Sequence, residues 1–195
     1  MGFNISAPWT PGNMDGQTIL HRGRYHFAKG YIEPEDRVID LGCGKGYGTE
    51  ILASTAFSVK GFDLDAEQIK WNQEHLVFDN VEFFAGNLEE IELPKAEVAC
   101  MFEVLEHLYD PKKFVEKLKL SVDRWIIMSV PFGVEKLIEV DGQMQSDLDS
   151  THHYVFGRPE DLDDLIVDDD WRGFFGFTLG VTYIKAYYNR NYEQI

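Results

Sequence analysis

Short apolar runs, each closed by a glycine, a proline or an acid, alternate along this chain with stretches whose apolar residues recur at helical spacing. Ile19, Leu20, Tyr25, Phe27, Ala28 and Tyr31 recur in that way across 17–31, and Pro34-Glu35-Asp36 ends the stretch. The β-branched run Arg37-Val38-Ile39-Asp40-Leu41 is stopped by Gly42 and reads as a buried strand. The pattern predicts a helix over 47–56, a strand over 57–62 closing at Asp63, and a helix over 66–76 with Asp65 as its N-cap. Strands follow at 81–85, ended by Gly86-Asn87, and at 98–102. Helical spacing then runs from about Val104 to Leu120, and 125–130 reads as a fifth strand stopped by Pro131. Positions 159–167 suit a helix with Pro159 in its first turn, and 174–178 and 181–187 a terminal pair of strands.

Strands alternating with helices imply right-handed βαβ units and a largely parallel sheet covered on both faces. The expected fold is therefore α/β and Rossmann-like: a doubly wound, seven-stranded mixed sheet with an antiparallel last strand. A single domain is expected over 1–195, with 1–15 as an irregular lead-in. The polar stretch 132–158 is too long for a plain connection and reads as a substrate loop. Ligands of such sheets bind past the carboxyl ends of the strands. That rule gathers 40–48, Asp63, Asn87 and 102–107 on one rim.

Composition narrows the partners more than the fold. The chain has 195 residues and a net charge of −16, which disfavours capture of nucleic acid or of an anionic membrane. The acidic runs at 160–164 and 168–170 read as solvated faces. No apolar run approaches the roughly 18 residues of a membrane span, and no basic-then-apolar leader opens the chain. Cys43 and Cys100 form no CxxC pair and suit a reducing, cytoplasmic compartment. Met1-Gly2-Phe3-Asn4-Ile5-Ser6 fits a crude myristoylation pattern, but no polybasic segment follows to supply a second anchor. The four tryptophans are scattered, which fits packing in the core or against a substrate better than a cage. Nothing in the pattern speaks to oligomeric state.

The chemistry concentrates in Gly42-Cys43-Gly44-Lys45-Gly46-Tyr47-Gly48, between a strand and a helix. A phosphate-binding P-loop fails, because Lys45 is followed by Gly46 and position 39 is Ile. A dinucleotide fingerprint fails at Tyr47, where its third glycine belongs, and this weighs against a nucleotide-dependent oxidoreductase. The bland alternative is a tight turn that binds nothing. Against it stands Asp63, about twenty residues on at the end of the second strand, where a carboxylate can accept both hydroxyls of a ribose. Asn87, at the end of the third, offers an amide that can read an adenine edge.

The segments Arg37-Val-Ile-Asp-Leu-Gly-Cys-Gly-Lys-Gly-Tyr-Gly48, Gly61-Phe-Asp-Leu64, Gly86-Asn-Leu88 and Phe102-Glu-Val-Leu-Glu-His107 together resemble the class I S-adenosylmethionine-dependent methyltransferases. The small single-domain group with a Glu-Val-Leu-Glu-His motif is the nearest likeness, and His21-Arg22-Gly23-Arg24-Tyr25-His26-Phe27-Ala28 is similar to its first helix. The agreement covers about residues 21–131. The resemblance implies that Asp40 and the loop of Gly42, Cys43, Gly44 and Gly46 hold the methionine part of S-adenosylmethionine, with Arg24 or Tyr25 nearby. It also implies Asp63 on the ribose, Leu64, Asn87 and Leu88 at the adenine, and Phe102 and Glu103 bordering the methyl. The family usually has Asp where this chain has Asn87, which can still pair with adenine. An acidic pocket favours the sulfonium over its neutral thioether product. Orientation for the in-line displacement can supply roughly 7–11 kcal/mol.

Glu103, Glu106 and His107 stand at i, i+3 and i+4 and would share one helix face. Three readings stay open for them. They could bind a divalent metal (Mg, Mn, Fe or Zn) with His152 or His153. Similarity to metal-dependent small-RNA 2′-O-methyltransferases and ubiquinone-pathway O-methyltransferases favours the set Glu103, Glu106, His107, His153. Alternatively His107 or His153 acts as general base with no metal, or these residues only shape the pocket. The expectation is methyl transfer to an oxygen of a small-molecule acceptor. A non-catalytic cofactor-binding or scaffold protein is the alternative, with RNA 2′-O-methylation behind it.

Overall fold

The computed structural model describes residues 16–133, 136–140, 143–147, 149–179 and 182–192. The predicted lead-in 1–15 and Val181 lie outside the described residues. The elements are α1 (Gly16–Lys29), β1 (Arg37–Leu41), α2 (Tyr47–Ala53), β2 (Ser58–Asp63), α3 (Ala66–His75), β3 (Val81–Ala85), β4 (Ala96–Phe102), α4 (Pro111–Ser121), β5 (Val122–Pro131), β6 (Leu137–Val140), β7 (Gln143–Ser146), α5 (Glu160–Ile166), β8 (Trp171–Leu179) and β9 (Thr182–Asn189).

Seven strands form one sheet in the order β3-β2-β1-β4-β5-β9-β8. β1 to β5 are mutually parallel; the last strand, β9, runs antiparallel to both β5 and β8. The period of two along each strand feeds two cores. Ile39, Leu41, Met101, Ile126 and Met128 pack under α4 and α5 with Phe114, Leu118, Leu162 and Ile166. Val38, Val98, Cys100, Phe102 and Ile127 pack under α1 and α2 with Tyr25, Ala28 and Leu52.

Three expectations are corrected. The helix expected from Val104 to Leu120 is broken: Leu105–His107 forms one 3-10 turn, and α4 begins only at Pro111. The residue before a proline is forced out of the helical region, and Asp110 accordingly sits at φ −130°, capping α4 by accepting from the Lys113 N–H. Glu103, Glu106 and His107 therefore do not share a helix face. The stretch 132–158 is not all loop, because β6 and β7 pair as an antiparallel hairpin within it. The acidic runs are not only solvated. Asp163 accepts from Lys185 Nζ at 2.6 Å and from the Tyr187 hydroxyl at 2.8 Å, and Asp168 pairs with Lys119 at 2.8 Å.

One polar knot holds the rim together. Asp40 is fully buried and accepts from Thr49 Oγ1 at 2.6 Å and from the Tyr25 hydroxyl at 3.2 Å, joining β1, α2 and α1. Burial pushes its carboxyl up to about 7, against the opposing pull of those two hydrogen bonds. Gly48 makes room for the knot: a Cβ there would meet the Tyr25 ring at 2.0 Å.

Two outcomes follow for stability. Gly48→Ala drives a methyl into the Tyr25 ring and should cost about 1–3 kcal/mol in a denaturant titration; no change would mean that α1 is not held against α2. Folded Asp40 keeps its proton up to about pH 7, whereas an ordinary aspartate loses it near 3.8. Folding therefore takes up a proton between those values, and the stability this group contributes falls as pH rises through the window. Asp40→Asn lacks that decline, so its denaturation midpoint should gain on the parent's from pH 4 to 7. Parallel curves would contradict the burial.

Candidate cofactor and acceptor site

The carboxyl ends of β1, β2, β3 and β4 open onto a cavity of about 490 Å³. Gly42, Asp63, Leu64, Asn87, Leu88 and Glu103 line one part of it; Glu89, Val104, His107, Leu108, Tyr109, Thr151 and His153 line the rest.

The glycine loop is fixed by backbone bonds to its neighbours. The N–H groups of Gly42 and Cys43 both donate to Phe62 O, at 2.8 and 2.9 Å. Gly42 sits at φ +77°, and a Cβ on it would lie 2.2 Å from Val104 Cγ2, so only glycine lets the loop close against the turn after β4. Gly44 N–H donates to Asp63 Oδ2 at 2.7 Å, and Asp65 N–H to Asp63 Oδ1 at 3.0 Å. Two backbone amides thus orient the Asp63 carboxylate, and each oxygen keeps a further lone pair for a ligand hydroxyl. From α3, buried Asn72 donates to Gly44 O at 2.7 Å. Sequence reasoning missed Asn72; its signal is a polar residue on the buried face of the predicted helix 66–76.

Of the residues predicted to hold the cofactor, Gly42, Asp63, Leu64, Asn87, Leu88 and Glu103 stand on the cavity wall. Tyr25, Asp40, Cys43 and Phe102 are buried behind it, with the Phe102 ring edge-on to Tyr25 at 4.8 Å. They pack behind the loop and are not among the residues that line this cavity. Gly44 acts through its N–H on Asp63, and Gly46, at φ +76°, opens α2. Asn87 caps the turn after β3: its Oδ1 accepts from Glu89 N–H and its Nδ2 donates to Glu90 Oε1. Glu89, also missed, accepts from the N–H groups of Tyr109 and Asp110 and ties that turn to the opposite wall.

Glu103 directly follows β4 at φ +57°, the one non-glycine at positive φ among the described residues. Such a conformation costs roughly 1–3 kcal/mol and persists where surroundings fix it. Here Ser129 Oγ donates to Oε1 at 2.8 Å, Thr182 Oγ1 to Oε2 at 3.3 Å, and Arg24 Nη1 lies 3.4 Å from Oε1. Glu103 thereby joins β4, β5, β9 and α1, and Arg24 reaches the site through it. Ser129 and Thr182 carried no sequence signal, because neither belongs to a motif and only the pairing of β5 with β9 brings them to Glu103.

The acid–histidine cluster departs from its predicted membership. Ligand atoms of Glu106, His107 and His152 lie within 4.8 Å of one another. Glu103 is not among them, because its left-handed turn sends the carboxylate to Ser129 and Thr182 instead. His153 is replaced by His152: adjacent residues outside a helix point different ways, and it is the His152 ring that meets His107, at 4.7 Å. His153 stacks on Tyr109 at 4.1 Å, and its N–H donates to Glu106 O. His107 Nδ1 lies 3.0 Å from Thr151 O. A carbonyl only accepts, so Nδ1 carries the proton and Nε2 is the basic nitrogen. Partial desolvation at the cavity wall holds the His107 imidazole below the usual histidine range, against the contrary effect of the Thr151 carbonyl.

The family model described as a methyltransferase domain matches residues 17–166. A "Probable S-adenosylmethionine-dependent methyltransferase" of Mycolicibacterium smegmatis is 37% identical over 82 residues, 41% of this chain and 31% of that protein. A ubiquinone biosynthesis O-methyltransferase of Paraburkholderia phymatum is 36% identical over 100 residues, 48% of this chain and 43% of that protein. The chain thus spans less than half the length of these relatives. Among solved structures, N-methyltransferase NodS from Bradyrhizobium japonicum, in complex with S-adenosyl-L-homocysteine, superposes with a TM-score of 0.70 at 10% identity, covering 92% of this chain and 90% of that one. An S-adenosylmethionine-dependent methyltransferase from Mesorhizobium loti gives 0.66 at 11% identity, covering 84% and 96%. Likeness at such identities is a likeness of fold, and the family assignment rests on the matched domain: the chain belongs to the methyltransferase-domain family, among the class I S-adenosylmethionine-dependent methyltransferases.

Proposed function

We propose that this chain transfers a methyl group from S-adenosylmethionine to an oxygen of a small hydroxylated molecule. The observation that carries the reading is His107, an imidazole exposed at the rim whose Nδ1 is tied to Thr151 O and which lines the same cavity as Asp63 and Glu103. When bound, S-adenosylmethionine supplies an electrophilic methyl on a sulfonium. Asp63 accepts the ribose hydroxyls, Leu64 and Leu88 flank the adenine, and the Glu103 carboxylate favours the positive sulfur. His107 Nε2 takes the acceptor's hydroxyl proton, and His153 with Tyr109 forms an aromatic wall on the acceptor side.

A second reading has its own support in the grouping of Glu106, His107 and His152. One carboxylate and two imidazoles suit Mg, Mn, Fe or Zn, and a ligand histidine typically donates its other nitrogen to a carbonyl, as His107 does to Thr151. A divalent ion there would lower the pKa of a bound acceptor hydroxyl.

A small acceptor is favoured over RNA because the basic helix surface is partly spent. Lys117 Nζ donates to Leu88 O and Ile91 O, and Lys119 pairs with Asp168, leaving few of α4's lysines for phosphates. A cytoplasmic location is part of the same proposal. Cys43 and Cys100 are free and buried, and no helix among the described residues is long and apolar enough to cross a membrane.

Five measurements test this. Asp63→Ala should weaken S-adenosylhomocysteine binding by about 10- to 100-fold in calorimetry, the worth of one or two hydrogen bonds to a charged group; unchanged affinity would refute the cradle. His107→Gln should lower kcat by about 10²–10⁴ against a panel of phenols and catechols while sparing cofactor affinity. The parent's kcat should fall only as pH drops through the lowered His107 value, so activity persists below the pH at which an ordinary histidine protonates. Isotopically labelled methyl found only on nitrogen or carbon acceptors would contradict O-methylation. If chelation abolishes turnover and Mg, Mn, Fe or Zn restores it, the metal reading replaces that of a free base.

A further inference from the structure

The largest cavity described outside the rim lies at the opposite end of the sheet, with a volume of about 570 Å³. Trp125 stands four residues into β5 and Pro131 ends that strand at the rim, so roughly 20 Å of strand separates the two sites. We propose that this cavity binds a small organic cation of the quaternary-ammonium class. The inference does not depend on methyl transfer.

Tyr31, Trp125, Phe174, Tyr188 and Tyr192 surround the space, with Glu33 at its edge. The rings are steeply inclined to one another rather than stacked. Trp125 meets Tyr31 at 4.9 Å and 64°, Phe174 at 5.4 Å and 72°, and Tyr188 at 5.8 Å and 53°. Phe174 and Tyr188 stand at 89° to each other. A space walled by rings in several planes presents π-faces from more than one side, which suits a cation that is apolar on its surface. Phe174 is 64% exposed although it is one of the largest apolar side chains, so the wall is open to a ligand.

Charge selects the sign of the occupant. Arg124 lies beneath the rings, but Asp36 and Glu33 both pair with it, Glu33 at 2.6 Å, so the trio carries a net −1. The chain as a whole carries −16. One ring already receives a cation: the Arg124 guanidinium lies 5.8 Å from the Tyr192 centroid. Asp36 is buried against Arg124, so the carboxylate a ligand meets at the cavity is that of Glu33, which favours a cation over an anion. The sequence hid this grouping, because Tyr31, Trp125, Phe174, Tyr188 and Tyr192 come from four separate segments.

The test titrates the full chain with choline and with 3,3-dimethyl-1-butanol, its neutral isostere, by calorimetry and tryptophan fluorescence. Choline should bind saturably and at least tenfold more tightly than the isostere. Phe174→Ala and Glu33→Gln should each weaken choline three- to tenfold, and Phe174→Ala should leave S-adenosylhomocysteine affinity unchanged. Equal affinity for the two probes would overturn the proposal, as would the absence of saturable choline binding or full retention of it in Phe174→Ala. A dimer in sedimentation that Phe174→Ala dissociates, with no response to choline, would assign the rings to an interface and overturn it as well.

Discussion

The carboxylate of Asp63 is where this structure commits itself, because the backbone loop after β1 and a side chain at the end of the next strand, β2, fix each other there. The Gly44 and Asp65 amides hold its two oxygens, while Phe62 O holds the loop from below and Asn72 from the side. Such a carboxylate needs no reorganisation to receive hydroxyls, which is how a fold converts orientation into binding. Behind the loop the Asp40 knot has the complementary task. It is buried and registers α1 and α2 against β1. The first acid of the motif therefore builds the loop, and the second stands on the cavity wall with both oxygens oriented by backbone amides.

Much of this was legible from residue pattern. Runs such as 37–41 and 81–85 became strands at the predicted bounds, because β-branched and aromatic residues bounded by glycine leave few other choices. The rim was legible as well, since the position of sites at strand ends follows from topology. Illegible was anything decided by direction rather than spacing. Glu103, Glu106 and His107 have helical spacing, but Pro111 prevents the helix, and the left-handed turn at Glu103 then aims its side chain at β5 and β9. The choice between His152 and His153 is of the same kind, since neighbouring positions differ only in the way the chain faces. The grouping around Trp125 was illegible for another reason, since Tyr188 reaches it only through the pairing of β5 with β9 and Phe174 lies on β8.

The two walls of the rim cavity differ in how they are held, and this fits a division of labour. The cofactor wall is backbone-braced and built from contiguous motifs. The acceptor wall joins the turn after β4 to the segment after the β6–β7 hairpin, through the bonds of His153 and Tyr154 N–H to Glu106 O and of His107 to Thr151 O. Substitutions in 132–158 can thus alter the acceptor side while the adenosyl side stays intact, as befits a fold in which function varies on loops carried by a rigid scaffold.

The most direct measurement of the central claim is a crystal structure with S-adenosylhomocysteine. The account predicts both ribose hydroxyls on Asp63 with the Gly44 amide still donating to it, the thioether sulfur facing Glu103, and His107 Nε2 directed at the space beyond the sulfur. Adenosyl density elsewhere, or an Asp63 carboxylate swung away from the Gly44 amide, would contradict it.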